Sequence, residues 1–249
     1  MRYICKIAFD GSKYKGWQHQ INAKTVQDTL AESLVVFLRS PTEITGCGRT
    51  DTGVHASKYY FHFDTDQFIG KDELMHINAI LPSDIVIQNI IKSKPDAHVR
   101  FDAYERTYEY FLQSYKNPFN RPYSFTYYQF KDLDMDLLQK AASLLLNYDD
   151  FTPFCKTNSG AKSKLCKVTS SFWEVDEGNQ NAKFTITANR FLRGMVRLVV
   201  GMCLNVASGK MTINEVNKAL EEKGQLPKPW SVPPCGLFLS DIKYPYQVE

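Results

Sequence analysis

The chain has few of the features that mark membrane, secreted or metal-binding proteins. No apolar run in its 249 residues reaches about 18 residues, the length that a membrane-spanning helix needs. The first residues enter an alternating strand pattern at once, which argues against a signal peptide. The six cysteines are scattered, with no Cys-x-x-Cys pair and no cluster with histidine. We therefore expect a cytoplasmic protein with reduced thiols, no bound metal and no membrane partner.

The chain also has little net charge. A formal charge of +3 does not by itself indicate a nucleic-acid partner. Residues 11–27, however, contain three lysines and no acidic residue, and Tyr14 and Trp17 lie among them. Residues 156–210 contain nine Lys or Arg and three Asp or Glu. Basic segments interleaved with aromatic residues suit RNA, although ordinary solvated faces would give the same pattern.

Apolar periodicity predicts an α+β protein in two halves, residues 1–100 and 101–249, with a junction near Pro95–Arg100. The order β-α-β-β-α-β in the first half, partly repeated in the second, suggests two ferredoxin-like α/β halves that share one sheet. A polar loop is expected at 156–163. Strands are predicted at 2–9, 57–65, 84–93, 103–115, 165–176, 182–188 and 237–243, and helices at 25–39, 71–80, 134–146, 191–207 and 212–221.

The most informative stretch is the segment 46–56, Gly-Cys-Gly-Arg-Thr-Asp-Thr-Gly-Val-His-Ala. Its glycines allow tight turns and close approach of a ligand. Arg49 and Asp51 place a cation and a carboxylate on one loop, and the cation favours the ionised carboxylate. Such a carboxylate can act as a nucleophile or stabilise charge, although a weak surface ion pair is the alternative. His55 and Asp51 alone make a weak metal signal, so we expect a structural role for His55.

Four further motifs accompany the Arg-Thr-Asp-Thr-Gly-Val-His-Ala segment around Asp51. They are Asp10-Gly11 with Gly16-Trp17-Gln18 and Thr25-Val26-Gln27, Arg106-Thr107-Tyr108-Glu109-Tyr110, Phe191-Leu192-Arg193-Gly194-Met195-Val196-Arg197, and Pro233-Pro234-Cys235-Gly236-Leu237. The five motifs, in this order with the Asp51 segment second, resemble those of the tRNA pseudouridine synthase A family, and together they cover nearly the whole chain. One position departs from the common pattern, because Gly194 stands where many relatives have a larger polar residue.

The resemblance implies the pseudouridine synthase fold, with a central, mostly antiparallel sheet and the active-site cleft between the two halves. It implies an isomerase that converts uridine to pseudouridine at positions 38, 39 and 40 of the tRNA anticodon stem-loop. The reaction breaks the C1′–N1 bond, rotates the uracil and joins its C5 to C1′, so no redox step occurs and no cofactor is expected. A homodimer is also implied. A pseudouridine synthase for another RNA position and a non-catalytic RNA-binding protein are the alternatives.

The resemblance further implies roles for individual residues. Asp51 is the expected catalytic aspartate, whether it attacks C1′, deprotonates the sugar or adds to the base. Arg193 is expected to pair with Asp51, and Tyr108 to stack on the uracil and assist removal of the C5 proton. The substrate-binding residues expected are Arg49, which would hold the flipped nucleotide, Leu192 and Met195, which would form apolar walls, Arg197, which would contact phosphate from the same helix face as Arg193, and Trp17 and Gln18.

Overall fold

The computed structural model describes residues 1–155 and 162–248, so the predicted loop at 156–163 lies mostly outside the described residues. In the described part of the chain, every helix is too short or too polar to cross a membrane. The main elements in chain order are β1 (Arg2–Phe9), α1 (Val26–Leu38), β2 (Ile44–Gly46), β3 (His55–Asp64), α2 (Lys71–Ile80), β4 (Ile85–Ser93), β5 (Glu105–Gln113), β6 (Phe125–Thr126), α3 (Met135–Leu144), β7 (Val168–Val175), β8 (Asn181–Ala188), α4 (Met195–Ala207), α5 (Ile213–Glu221) and β9 (Leu237–Lys243).

The chain forms two compact units. Unit 1 contains Met1–Tyr104 and the C-terminal residues from Phe238 onward, and unit 2 contains Glu105–Leu237. This division differs from the predicted halves in two ways. The boundary lies after Tyr104 and not after residue 100, and the C-terminal residues, with nearly all of β9, belong to unit 1. The pairing of His55 with Phe238 and of Ala56 with Leu239 explains this, since it makes β9 a parallel neighbour of β3. The predicted division into two halves, residues 1–100 and 101–249, stays a prediction.

Unit 1 is a sheet with two helices. The strand order is β4-β1-β3-β9, and β2 pairs with β3 beside the segment that carries Asp51. β1 runs antiparallel to both β3 and β4. The predicted apolar face of α1 is confirmed, because Leu30 and Leu34 are fully buried and Leu38 is 2% exposed. Thr25 caps this helix by accepting a hydrogen bond from the Asp28 amide at 3.2 Å.

Unit 2 contains the antiparallel strands β5, β8 and β7, with β8 in the middle, and β6 parallel to β5. Helix α4 lies in the core of this unit, since every residue from Met195 to Ala207 except Arg197 is buried. A helix that is almost wholly apolar is typically surrounded by protein. The predicted α+β class with mostly antiparallel strands is thus confirmed.

One predicted boundary is wrong in a way that matters for the site. The predicted helix 191–207 begins at Met195 instead. Gly194 precedes it with a φ of 74°, a left-handed conformation that glycine adopts without steric cost. Arg193 therefore lies in the turn before the helix. It does not share a helix face with Arg197, as the sequence pattern suggested.

Candidate active site

The segment with Asp51 connects β2 to β3 in unit 1, and hydrogen bonds fix its backbone at both ends. At the entrance, the Cys47 amide donates to the Tyr60 carbonyl at 2.9 Å. At the exit, the Gly53 amide donates to the Tyr14 carbonyl at 3.2 Å. The Val54 amide closes a turn by donating to the Asp51 carbonyl at 3.1 Å. We call residues 47–54 the Asp51 loop; its backbone is held by unit 1 on both sides of the carboxylate.

Arg49 and Asp51 differ in exposure within this loop. The Arg49 side chain is exposed and Asp51 is half-buried. A half-buried carboxylate on a hydrogen-bonded backbone is still reachable by a ligand. An exposed guanidinium two residues away in sequence can reach the phosphate or the sugar of a bound nucleotide. These two positions suit the roles that the sequence predicts for them, which stay predictions.

The residues expected next to the Asp51 loop have very different environments. The Trp17 ring lies in the core of unit 1, 2% exposed, and stacks on Tyr59 with ring centroids 4.2 Å apart. Gln18, the next residue, is exposed. Trp17 therefore contacts the protein interior through its ring, and its predicted substrate contact stays a prediction. Gln18 is available on the surface of the same turn.

Gly16 brings the Trp17 turn directly against the Asp51 loop. Its φ is 88°, and a methyl group added to it would lie 2.3 Å from the Thr50 carbonyl oxygen. Only a residue without a side chain fits so close to another backbone. The glycine explains why the two segments can pack together, which the sequence alone did not indicate.

His55 makes the contacts of a structural residue. It is fully buried, and its Nδ1 accepts a hydrogen bond from the Gly11 amide at 3.1 Å. Its ring stacks on Phe238 at 4.6 Å. Across residues 1–155 and 162–248, no three His, Cys, Asp or Glu side chains form a group that could hold a metal ion.

In unit 2, Tyr108 lies in the middle of β5, opposite Ile186 of β8. The ring is half-buried, and the Phe191 ring meets it edge to face at 5.1 Å and 85°. Tyr110, two residues further on, is fully buried and donates to the Pro233 carbonyl at 2.9 Å. Burial raises the pKa of Tyr110 well above its usual value. Of the two tyrosines, Tyr108 is the one that a ligand can reach.

Three expected site residues lie in the turn before α4 and at the start of that helix. They are close in sequence but have different environments. Leu192 is 5% exposed and Met195 is fully buried, whereas Arg193 between them is exposed. The turn is closed by a hydrogen bond from the Met195 amide to the Leu192 carbonyl at 3.1 Å. The two apolar side chains hold the turn in the core of unit 2, and the arginine is presented outward. Phe191 of the same turn reaches Tyr108.

Arg197 has a structural contact that its predicted role did not include. Its Nε donates to the Val232 carbonyl at 2.6 Å, and the Val232 amide donates back to the Arg197 carbonyl at 3.3 Å. The guanidinium is therefore held by the backbone of unit 2. The predicted contact of Arg197 with phosphate stays a prediction.

Comparisons with known proteins identify the family to which the chain is related. A family model described as tRNA pseudouridine synthase matches residues 141–245. A tRNA pseudouridine synthase A from Bacteroides fragilis is 40% identical over 249 residues, which cover 99% of this chain and 98% of the relative. The chain belongs to the tRNA pseudouridine synthase A family. Relatives of the same name from Bacteroides thetaiotaomicron and Caldicellulosiruptor bescii are 40% and 33% identical, over 99% and 97% of this chain and 92% and 98% of theirs. The family and the isomerase class predicted from the sequence are thereby confirmed.

The predicted catalytic residues of this member of the tRNA pseudouridine synthase A family are divided between the two units. Unit 1 provides a carboxylate on a fixed loop, the group that can attack or stabilise an electron-poor C1′ or take a proton. Unit 2 provides an accessible aromatic ring with a hydroxyl group and an exposed guanidinium. An aromatic face of this kind can stack on a base that has left its helix.

Sequence reasoning missed the contacts of two residues with the backbone of the Asp51 loop. Tyr59 donates to the Gly48 carbonyl at 2.6 Å, and Gly16 allows the close contact described above. Tyr59 is one of several aromatic residues in β3, and nothing in the alternation of that strand distinguishes it. Gly16 belonged to a recognised motif, but its requirement for a left-handed backbone is visible only in the structure.

Proposed function

We propose that this chain is a tRNA pseudouridine synthase that isomerises uridines 38, 39 and 40 of the anticodon stem-loop. The observation that carries the proposal is the half-buried Asp51 on a loop whose backbone is hydrogen-bonded at both ends. Membership of the tRNA pseudouridine synthase A family supports the substrate class. We further propose that the protein acts in the cytoplasm as a homodimer and needs no cofactor, since the reaction is an isomerisation.

In this proposal Asp51 is the catalytic carboxylate. It acts where the C1′–N1 bond breaks, and the reaction ends when C5 has bonded to C1′, C5 has lost its proton and N1 has gained one. Tyr108 stacks on the uracil and assists removal of the C5 proton. Arg193 stabilises the ionised form of Asp51 during the reaction. A ring in the middle of a strand and a cation on a closed turn are both suited to such fixed roles.

The remaining residues bind the nucleotide and the RNA backbone. Arg49 holds the flipped nucleotide through its phosphate or sugar. Leu192 and Met195 shape an apolar wall, and because both are buried they do so mainly by supporting the turn that presents Arg193. Phosphate contacts of Arg197 and base or sugar contacts of Gln18 complete the proposed surface. Trp17 contributes by supporting the Asp51 loop from inside.

A single-turnover assay on a tRNA transcript tests the proposal. Wild-type protein should form pseudouridine at positions 38–40, and a transcript with cytidine at those positions should give none. Product elsewhere in the transcript would support the alternative of a synthase for another RNA position. Binding without product would support the non-catalytic RNA-binding protein.

The role of Asp51 is tested by Asp51→Asn, which keeps the shape of the side chain and removes its charge. The variant should bind tRNA normally and form no product. Asp66→Asn makes the same chemical change at an exposed position of unit 1 and should be fully active. Multiple turnovers by purified Asp51→Asn, free of wild-type protein, would disprove the assignment.

A further inference from the structure

The Tyr59 hydroxyl lies against the backbone where the chain enters the Asp51 loop. It donates to the Gly48 carbonyl at 2.6 Å and accepts from the Gly48 amide at 3.4 Å. Gly48 is three residues before Asp51, and glycine at positions 46 and 48 gives this part of the backbone unusual freedom. One hydroxyl therefore bonds both backbone polar groups of Gly48.

The ring that carries this hydroxyl is closely packed on several sides. Tyr59 is fully buried, stacks on Trp17 at 4.2 Å and meets Phe9 edge to face at 5.6 Å. Gly46 leaves the space that both rings need. A methyl group added to it would lie 2.3 Å from the Tyr59 oxygen and 2.4 Å from the Trp17 indole. Packing of the ring thus sets the position of the hydroxyl oxygen.

We propose that Tyr59 is a positioning residue that sets the direction of the Asp51 carboxylate through its hydrogen bonds to Gly48. The proposal rests on the proposed function of Asp51. A catalytic group must be held within a fraction of an ångström of its productive position, and supporting residues with locked side chains provide this accuracy. Between the buried residues Cys47 and Val54, the bonds at Gly48 and the bond from Gly53 to Tyr14 help to order the loop.

Tyr59→Phe tests this inference because it keeps the ring and its stacking on Trp17 and removes only the hydroxyl. We expect kcat to fall by about fivefold, the order of effect of losing one neutral hydrogen bond, while KM and the Kd for tRNA stay unchanged. Hydrogen exchange at the amides of residues 47–54 should become faster, and this readout does not depend on activity.

Tyr3→Phe is the matched control. Tyr3 is 1% exposed in β1 of the same unit, and its hydroxyl accepts a hydrogen bond from the Ile69 amide at 3.1 Å. This variant should lose a similar amount of thermal stability and keep the wild-type kcat and the wild-type exchange rates at 47–54. A difference between the two variants therefore reports loop position and not a general loss of stability.

Two results would overturn the inference. The first is a Tyr59→Phe variant whose kcat equals that of Tyr3→Phe. The second is a fall in kcat with unchanged exchange at 47–54, since the hydroxyl would then act in some other way. The proposed function is judged separately by Asp51→Asn. If Asp51→Asn is inactive and Tyr59→Phe behaves as Tyr3→Phe, only the positioning role fails.

Discussion

The contact between Gly16 and the Asp51 loop can be tested by adding one methyl group. In Gly16→Ala, the new Cβ would lie 2.3 Å from the Thr50 carbonyl oxygen and 3.3 Å from the Asp51 carbonyl carbon. The first distance is far below any contact that real Cβ atoms make, and the atom it meets is backbone. The Thr50–Asp51 segment or the Trp17 turn must therefore move.

A second glycine separates the cost of a left-handed alanine from the cost of the steric overlap. Gly209 has a φ of 70°, close to the 88° of Gly16, but an added Cβ there meets no atom within 4 Å. Both alanine variants incur the cost of a left-handed residue, about 1–2 kcal/mol. Gly16→Ala adds an overpacking cost of about 1–3 kcal/mol. We expect the free energy of unfolding to fall by about 1–2 kcal/mol in Gly209→Ala and about 2–5 kcal/mol in Gly16→Ala.

Urea unfolding followed by circular dichroism gives the two stabilities, and single-turnover formation of pseudouridine gives activity at a temperature where both variants are folded. Gly16→Ala should lose most of its turnover because Asp51 is displaced, whereas Gly209→Ala should react like the wild type. Equal losses of stability, together with wild-type turnover in Gly16→Ala, would refute the view that Gly16 sets the position of the Asp51 loop.

Three further predictions concern pH, salt and capping. Burial, together with the charges of Arg2 and His98, lowers the pKa of His62 from 6.5 to about 4. The stability that depends on neutral His62 is thus complete above pH 6.5 and is lost as the pH falls toward 4. Between pH 6.5 and 4, the free energy of unfolding of His62→Gln should therefore fall by about 1–3 kcal/mol less than that of the wild type. An equal fall in both proteins would contradict this. If Lys15 neutralises a phosphate, Lys15→Ala should reduce the slope of log Kd for tRNA against log salt by about 0.7–0.9, and a slope equal to wild type would exclude the contact. Thr212 caps α5 by accepting from the Glu215 amide at 3.2 Å, so Thr212→Ala should lower the free energy of unfolding by about 1 kcal/mol without changing turnover, and equal urea midpoints would show that the cap contributes nothing.

Much of unit 1 can be predicted from the sequence because its elements have one buried and one exposed side. Helix α1 has leucines at 30, 34 and 38 on its buried face and a threonine at the capping position, so both its face and its first residue can be recognised. The letters around Asp51 are likewise specific enough to identify the family. These features are local, since each depends on residues within a few turns or a single loop.

The start of α4 could not be predicted in the same way. Helix α4 is buried along almost its whole length and is almost wholly apolar, so its pattern does not show where it begins. Phe191 and Leu192 continue the apolar run, and the sequence therefore predicted a helix from residue 191. The left-handed Gly194 ends that continuity, and the difference decides whether Arg193 extends from a helix or from a turn.

The contacts along α4 show why the sequence did not predict the structural role of Arg197. Arg197, Gly201 and Asn205 are spaced by four residues, so they lie on one face of the helix. The Arg197 Nε donates to the Val232 carbonyl at 2.6 Å, and the Asn205 amide donates to the Lys228 carbonyl at 2.9 Å. Between them, a Cβ at Gly201 would lie 1.8 Å from the Trp230 carbonyl oxygen. Nothing in the sequence relates these three residues to one another. In the structure all three contact one backbone segment, residues 228–232. That segment is 23 to 35 residues further along the chain from the two donors, so no local pattern could indicate it.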